Sequence, residues 1–524
     1  MPETPEITPE YVAELERQMT EMEVRNTHLE AHLKVSEMLR ADLERMLKNE
    51  RHARFGAKSE KLNADQTHLP FEDIDVVQGM LEVASEEAEK ATRKGPRKPK
   101  PRQSTKGNLP DHLPRIETVI EPDSTLCPCG CGEMAKVGED RTDRLDIIPA
   151  QFRVLVTVRP KYLCRKCDGK SHAQAPAPEY LVPRGLPTEA LVAHTMVAKF
   201  GDYLPFYRQA DIYRRQGVEL DRSLLGNWSG RAALMLMPII DAMIGELQGS
   251  DRLFCDETTI PVLAPGTKKT RKDYLWAVMR DQRGWGGSDP PIVVFHHSRS
   301  RSARTAQEIF KGYTTGVLTV DGYAAYDVLA DPKKTNDPWQ LSFCWTHWRR
   351  KFVEFSRTTP SPICEEMLGH IAALYKIETE IRSKDPATRA AVRQKLSQPI
   401  IAALRPWLEA RLAELSTSSD LTKAIKYGLK RWDGLTRFIT DGRIEMDTNL
   451  IENAIRPIPL TRKNALFAGN DAGARTWSRT ASLIGTCKLN GVDPAKYIEG
   501  TLRRILDQHM ASDIQELMPW NFQK

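Results

Sequence analysis

Hydrophobic and polar positions change their spacing near the middle of the chain, where short apolar runs replace helical periodicity. Three β-rich runs separated by polar and turn-forming residues predict an antiparallel meander, over Leu253–Leu263, Tyr274–Arg280 and Pro291–Phe295. The pattern after them predicts a helix, a strand, a short helix and a last strand, over Ala303–Tyr313, Val317–Asp321, Tyr323–Leu329 and Leu341–Trp345.

This order of elements contains two candidate acidic residues. Three strands, a helix, and then strands alternating with helices is the element order of the ribonuclease-H-like fold. Asp256 lies within the first strand and Asp321 at the end of the fourth, where that fold uses acidic residues. Taken singly, each aspartate is more simply explained as a turn former or a helix cap.

A third acidic residue lies in a helical pattern farther along the chain. Asn449, Glu452 and Arg456 are spaced by three and four residues, which places them on one face of a helix. A surface salt bridge between Glu452 and Arg456 is the simpler explanation of that spacing. The intervening segment, Glu354–Phe438, is largely helix-prone.

The N-terminal segment has the apolar spacing of a coiled coil. Its a and d positions step by three and four residues from Val12 to Ser36, and Leu43 and Leu47 resume the register. Asn26 falls at an a position, where a buried amide favours a two-stranded assembly. A homodimer or higher assembly is predicted; the alternative is an amphipathic helix packed on its own chain.

Five of the nine cysteines fall within Cys127–Cys167. Two knuckles, one around Cys127 and Cys131 and one at Cys164 and Cys167, predict a zinc ribbon holding one structural Zn²⁺. Between them, the alternating apolar residues of Phe152–Arg159 predict a strand. Cys129 lies too close to Cys131 for the usual spacing, so the wider pair is preferred. Free or redox-active thiols are the alternative.

The segment from Pro187 to Leu236 is predicted to be helical. A helix ending near Gln216, a turn containing Gly217 and a second helix capped by Asp221 resemble a helix-turn-helix that reads DNA. An ordinary helical hairpin explains the same pattern.

Composition adds little to these motifs. The chain has 76 Lys and Arg against 70 Asp and Glu, a formal charge of +6 that is too small to argue for nucleic acid by itself. A basic linker follows an acidic stretch, and it could contact phosphate or simply be a solvated tether. The longest apolar stretch, near Ala232–Ile240, is far short of the ~20 residues that span a bilayer. With no signal-peptide pattern, a cytoplasmic, nucleoid-associated protein without a membrane role is expected.

These motifs together resemble those of the insertion-sequence-66 transposase family, over nearly the whole chain. The resembling stretches are Phe55-Gly56 with Lys58–Leu62, the cysteine ribbon, Leu204–Arg208, Asp256–Thr258, Asp321–Tyr323, Cys344-Trp345 with His347, Arg349 and Arg350, Asn449 with Glu452, Ile455 and Arg456, and Lys488–Pro494. Their order and completeness make the combined match specific. The resemblance implies a DDE transposase with Asp256, Asp321 and Glu452 as its acidic trio and a helical insertion before the glutamate.

Three carboxylates in one site favour hard divalent cations, here two Mg²⁺ or Mn²⁺ per active site. The predicted reaction is cleavage at the ends of the element followed by attack of the freed 3′ hydroxyl on target DNA. Five basic residues are predicted to contact DNA: Arg349, Arg350, Arg456, Arg462 and Lys463. His347 is explained equally well by a structural hydrogen bond or a role in proton transfer. Glu257 is expected to lie on the opposite face of a regular strand from Asp256. Asp447, five residues before Glu452, is expected to lie roughly 140° away from it around an ideal helix. Both are therefore expected to tolerate amide substitution.

The fold class expected is multidomain α+β. The predicted domains are a coiled coil (1–65), an acidic then basic linker (66–115), a zinc ribbon (116–180), a helical DNA-binding domain (181–248), a ribonuclease-H-like core (249–352), a helical insertion (353–440), the glutamate helix (441–475) and a helical tail (476–524). The partners expected are element ends, target DNA and accessory proteins of the same element. A resolvase-like nuclease that cuts without joining, and a zinc-containing DNA-binding regulator, are the alternatives.

Overall fold

The computed structural model describes residues 19, 114–119, 124, 126, 129, 132–133, 150–163, 172–183, 185–264, 267 and 269–522. The chain divides into two units, Met1–Ile147 and Ile148–Lys524. Apart from Met19, the heptad segment lies outside the described residues, as do the proposed zinc ligands Cys127, Cys131, Cys164 and Cys167. Those predictions therefore stay predictions. In the first unit, Leu126 and Glu133 form an antiparallel bridge.

The second unit begins with an extended segment and a small two-stranded sheet. Strands β1 (Lys161–Leu163) and β2 (His172–Gln174) pair antiparallel. A strand predicted over 152–159 is wrong, because those residues have no regular secondary structure. Its Val154, Val156 and Val158 side chains are exposed. Alternating apolar residues favour a strand only where a neighbouring strand and a buried face are available.

Four helices follow and match the predicted helical segment. They are α1 (Glu189–Phe200), α2 (Phe206–Arg215), α3 (Arg222–Met235) and α4 (Met237–Gln248). Gly217 takes a left-handed φ of 80° in the turn after α2, a conformation that glycine adopts without steric cost. The Asp221 side chain accepts a hydrogen bond from the Ser223 amide at 2.7 Å and caps α3. The helix, the turn and the capped second helix are confirmed as structure.

A five-stranded mixed sheet forms the centre of the second unit. Its strands are β3 (Arg252–Leu263), β4 (Thr270–Arg280), β5 (Ile292–Ser298), β6 (Val317–Val320) and β7 (Gln340–Phe343), in the spatial order β5-β4-β3-β6-β7. The first three pair antiparallel, which confirms the predicted meander. Strand β6 pairs parallel with both β3 and β7. The carboxyl ends of these three parallel strands therefore point the same way.

Short helices connect the parallel strands. Helix α5 (Ala303–Ile309) precedes β6, a 3₁₀ turn (Ala324–Tyr326) and α6 (Asp327–Ala330) precede β7, and α7 (Trp345–Ser356) follows it. The helices predicted over Ala303–Tyr313 and Tyr323–Leu329 are confirmed, with shifted ends. Because β6 and β7 are parallel, the connection through α6 returns the chain to the end of the sheet at which β6 began.

The long segment between Asp321 and Glu452 is largely helical, as its composition predicts. It contains α8 (Pro362–Glu380), α9 (Pro386–Val392), a π-helical turn (Arg393–Ser397), α10 (Gln398–Glu414), α11 (Asp420–Lys430) and α12 (Trp432–Thr436). Its buried aromatic residues join those of α7: Trp348 lies in edge contact with Trp432, and the Trp348 indole donates to the Ala424 carbonyl. These helices are therefore packed onto the sheet unit through α7.

Four further helices complete the unit: α13 (Asn449–Ile455), α14 (Pro457–Ala465), α15 (Asp471–Leu489) and α16 (Pro494–Leu506). Helix α15 covers the edge strand β5, where Ser482 and Thr486 accept hydrogen bonds from the amides of Phe295 and Val293. These contacts satisfy backbone groups that an edge strand would otherwise leave open. The fold is α+β, as expected, and no helix among the described residues has the length and apolar character needed to cross a bilayer.

Candidate active site

Strand register brings Asp256 and Asp321 side by side. Strands β3 and β6 pair in parallel, with Phe254 opposite Thr319. The same offset, continued for two residues, aligns Asp256 with Asp321, which directly follows β6. Adjacent strands lie about 4.8 Å apart, so residues distant in sequence become neighbours. The interaction between these carboxylates helps to raise the pKa of Asp256.

Glu452 reaches the same place from α13. A hydrogen bond from the Thr448 amide to the Cys344 sulfur (3.3 Å) and one from the Trp345 amide to the Met446 carbonyl (3.1 Å) join the end of β7 to the segment before α13. The Thr448 hydroxyl then donates to Glu452 Oε1 at 2.9 Å and orients the carboxylate. The charge of Glu452 also acts on Asp256.

The three acids form one electrostatic cluster. Burial is the largest cause that raises the pKa of Asp256 well above its usual range, and Glu257, Asp321 and Glu452 raise it further. A hydrogen bond from the Glu257 amide to Asp256 Oδ1 (2.8 Å) opposes the shift. Oxygen donors that are half-buried and repel one another suit a hard divalent cation, so the donor set fits Mg²⁺ or Mn²⁺.

Among the described residues, two separate clusters could each offer three metal-ligand atoms that lie within 4.8 Å of one another. One consists of Cys344, His347 and Glu452, and the other of Asp273, His297 and Asp471. Asp256 and Asp321 belong to neither group. Burial raises the pKa of the Cys344 thiol to about 11, which disfavours the thiolate needed for metal binding. In the second group Arg271 binds both aspartates and Arg299 binds Asp471, so those acids already have cationic partners.

Glu257 does not behave as the inert neighbour that the sequence predicts. Strand alternation directs it away from Asp256, together with Cys255, and both contact the Tyr326 hydroxyl. That face is covered: the Glu257 carboxylate is 1% exposed and pairs with Arg301. Burial raises its pKa. Glu257 is therefore a structural acid and an unsuitable control for catalysis.

Asp447 is likewise not on the helix that carries Glu452, because α13 begins at Asn449. Its carboxylate accepts hydrogen bonds from the Asn449 amide (3.0 Å) and side chain (2.7 Å). Burial raises its pKa. The expected helical angle between Asp447 and Glu452 is thus wrong, and Asp447 holds the turn that enters α13.

The five predicted DNA contacts differ in their surroundings. Arg349, Arg350, Arg456 and Lys463 are exposed. Arg462 instead donates to the carbonyl and hydroxyl of Thr259, each at 2.7 Å, and fastens α14 to β3. His347 Nδ1 lies 3.6 Å from Glu452 Oε1. Burial lowers the pKa of His347, and the nearby Glu452 and Asp321 charges oppose that shift.

Comparison with known proteins identifies the relationship. A family model described as "Transposase IS66 family" matches residues 184–476, more than half of the chain and the whole of the sheet. The chain belongs to the IS66 family of transposases. Three further IS66-related models match other parts: the zinc-finger binding domain of transposase IS66 (124–168), the IS66 C-terminal element (482–520) and "Transposase C of IS166 homeodomain" (42–118). Membership of this transposase family implies that the chain binds DNA.

Relatives in Sinorhizobium fredii match this IS66-family chain over most of its length. Protein y4qI is 43% identical over 491 residues, which cover 92% of this chain and 89% of the relative. Protein y4jD is 40% identical over 473 residues, covering 89% and 92%. Both are described only as uncharacterized proteins, so they support the family and say nothing of mechanism.

The raised pKa of Asp256 predicts a pH-dependent stability of the IS66-family protein without added Mg²⁺. A carboxyl whose folded pKa exceeds its unfolded value binds more protons when folded, so stability is lost as pH rises between those two values. Asp256→Asn removes this cost. Its Tm should exceed that of the wild type at pH 8, where the wild-type carboxyl is destabilised by burial, and the gain should vanish near pH 4. Calorimetry at both pH values checks this; an equal gain at both would contradict it.

Proposed function

We propose that the protein is a DNA transposase that cuts the ends of its element and joins the freed 3′ hydroxyl to target DNA. The observation that supports this most is the alignment of Asp256 with Asp321 across the parallel pair β3 and β6, with the Glu452 charge within reach. Antiparallel β5, β4 and β3 followed by parallel β6 and β7 is the strand order of a ribonuclease-H-like core. We assign that fold to residues 249–352 and 441–475, with 353–440 as the insertion.

In the proposed mechanism Asp256, Asp321 and Glu452 would hold the two divalent ions. When bound, the ions activate the attacking oxygen and stabilise the leaving one. The chain's own groups orient the ligands: the Tyr323 amide donates to Asp321 Oδ1 at 2.8 Å, and Thr448 donates to Glu452. Exposed Arg349, Arg350, Arg456 and Lys463 contact phosphates by charge. Arg462 acts indirectly, by holding α14 against β3.

We further propose one structural zinc ion bound by Cys127, Cys131, Cys164 and Cys167. The matched zinc-finger range, 124–168, contains all four residues. Cysteine pairs on tight turns can close a tetrahedral site. This module, together with the α2–α3 hairpin, provides surfaces for recognising the element ends.

The heptad between Val12 and Leu47 is proposed to form a parallel dimer or higher assembly, which would bring two element ends together. Accessory proteins of the same element are further partners, and the DNA substrate places the reaction at the nucleoid. A peptide over 12–47 should be helical with a stability that rises with concentration, and Asn26→Val should raise it while loosening the dimer preference. Sedimentation equilibrium measures both; a peptide that stays monomeric at millimolar concentration would refute the assembly.

The decisive test uses the full chain, labelled element-end DNA, plasmid target and Mg²⁺. Joined products that disappear without Mg²⁺ support the transposase. Cut ends without joined products under many conditions would favour a resolvase-like nuclease instead. Specific retention of the DNA with neither product would favour a DNA-binding regulator, and the acidic cluster would then have no role in catalysis.

A further inference from the structure

The loop that carries Asp321 is held by the helical segment 353–440. We propose that Tyr427 and Arg431 are positioning residues for Asp321, so that α11 is a working part of the active site and not a spacer. This inference rests on the proposed function, because it concerns the second carboxylate of that site. According to this inference, the helical segment contributes to catalysis by holding the loop that carries Asp321.

Two hydrogen bonds fasten consecutive carbonyls of the loop to α11 and to Arg431, the residue that caps its C-terminal end. The Tyr427 hydroxyl donates to the Asp321 carbonyl at 2.6 Å, and Arg431 Nη2 donates to the Gly322 carbonyl at 2.8 Å. Both bonds reach the backbone of the loop and leave the Asp321 carboxylate available for other contacts.

Gly322 is shaped for this contact. Its φ is 86°, a left-handed conformation that other residues adopt with difficulty. A Cβ atom placed there would lie 2.5 Å from the Tyr427 hydroxyl oxygen and 2.8 Å from Arg431 Nε. The loop backbone and the two side chains therefore pack too closely for any residue larger than glycine.

The opposite side of the loop is held as well. The guanidinium of Arg301 lies 3.7 Å from the centre of the Tyr323 ring, and the Tyr323 hydroxyl donates to the Arg301 carbonyl at 3.0 Å. Arg301 Nη2 is 4.0 Å from Asp321 Oδ2. The position of Asp321 therefore depends on Arg301 as well as on Tyr427 and Arg431.

Helix α11 is in turn joined to α7, which carries two of the proposed DNA contacts, Arg349 and Arg350. Gly428 packs directly against the Trp348 ring, and the Trp348 indole donates to the Ala424 carbonyl at 2.8 Å. Two cations lie over the Tyr427 ring, Arg431 at 4.2 Å and Lys351 at 4.5 Å from its centre. A displacement of α7 or α11 by bound DNA would therefore be transmitted through Tyr427 to the Asp321 carbonyl.

Tyr427→Phe tests the inference, because it removes one hydroxyl and keeps the ring that the two cations contact. In the full chain without added Mg²⁺, amide exchange at 322–326 should become about 2- to 10-fold faster, the range that one net hydrogen bond gives. The Mg²⁺ concentration for half-maximal strand transfer should rise about 10-fold or more, as for other groups that orient metal ligands. A merely structural defect would lower the product yield and leave that midpoint unchanged.

Tyr313→Phe is the matched control. Its hydroxyl is also buried and has no hydrogen-bond partner among the described residues, so neither readout should move. Arg431→Gln provides a second variant if Tyr427→Phe folds poorly. Unchanged exchange at 322–326 in Tyr427→Phe overturns the inference, and so does an unchanged Mg²⁺ midpoint in an active protein. A wild type without metal-dependent cleavage would instead overturn the proposed function, while the exchange measurement would still decide whether α11 holds the loop.

Discussion

Asp256→Asn, Asp321→Asn and Glu452→Gln should each lower Mg²⁺-dependent cleavage and joining by more than about 100-fold. Each amide keeps the size of the side chain but removes a charge that binds a divalent ion. Even groups that only orient metal ligands can cost about 100-fold when they are lost, so a ligand should cost at least as much. Folding and DNA retention should persist in all three variants. Product formation on labelled element-end DNA measures the effect.

Glu308→Gln is the appropriate control for these variants. Its side chain lies on α5, is 63% exposed and pairs with Arg304 one turn away, a surface contact worth little. Glu257 does not serve, because its side chain is buried and bound to Tyr326 and Arg301. Asp447 does not serve either, because its carboxylate holds the turn that enters α13. Wild-type rates of strand transfer in Asp256→Asn or Glu452→Gln would refute the proposed site.

Protein purified without chelator should contain about one zinc ion per chain, and replacing Cys164 and Cys167 by serine should release it. Structural zinc contributes on the order of 10 kcal/mol to the folding of small modules, so the segment around the cysteines should unfold. Elemental analysis measures the metal, and proteolysis within 116–180 reports unfolding.

Cys129→Ser is the matched control for the zinc ligands, since its spacing to Cys131 is the unfavourable one. It should retain the full zinc content. If Cys129→Ser lost zinc and Cys127→Ser retained it, Cys129 would replace Cys127 as the zinc ligand. The absence of zinc from wild-type protein would remove the ribbon proposal altogether.

The sequence alone determined the elements of the sheet and the residues that define the proposed site. Alternating and continuous apolar runs predict β3 to β7 because side-chain burial in a strand is a local, periodic property. The same patterns assign Asp256 to a strand, Asp321 to a strand end and Glu452 to a helix. The order of the resembling motifs indicates the family, which the comparison confirms. Local patterns failed at 152–159, where a strand required a partner that the segment lacks.

Only the tertiary structure decided which residues meet. Strand alternation predicts the face of Glu257, but its burial depends on Arg301 and Tyr326, which are distant in the chain. The predicted angle between Asp447 and Glu452 was wrong because α13 begins after Asp447. Apolar periodicity does not define the exact residue at which a helix begins. Tyr427 and Arg431 carry no motif, and their contact with the Asp321 loop depends on how the inserted helices pack. Periodicity along a chain reports what each segment buries, whereas contacts between distant segments follow from the packing of the whole fold.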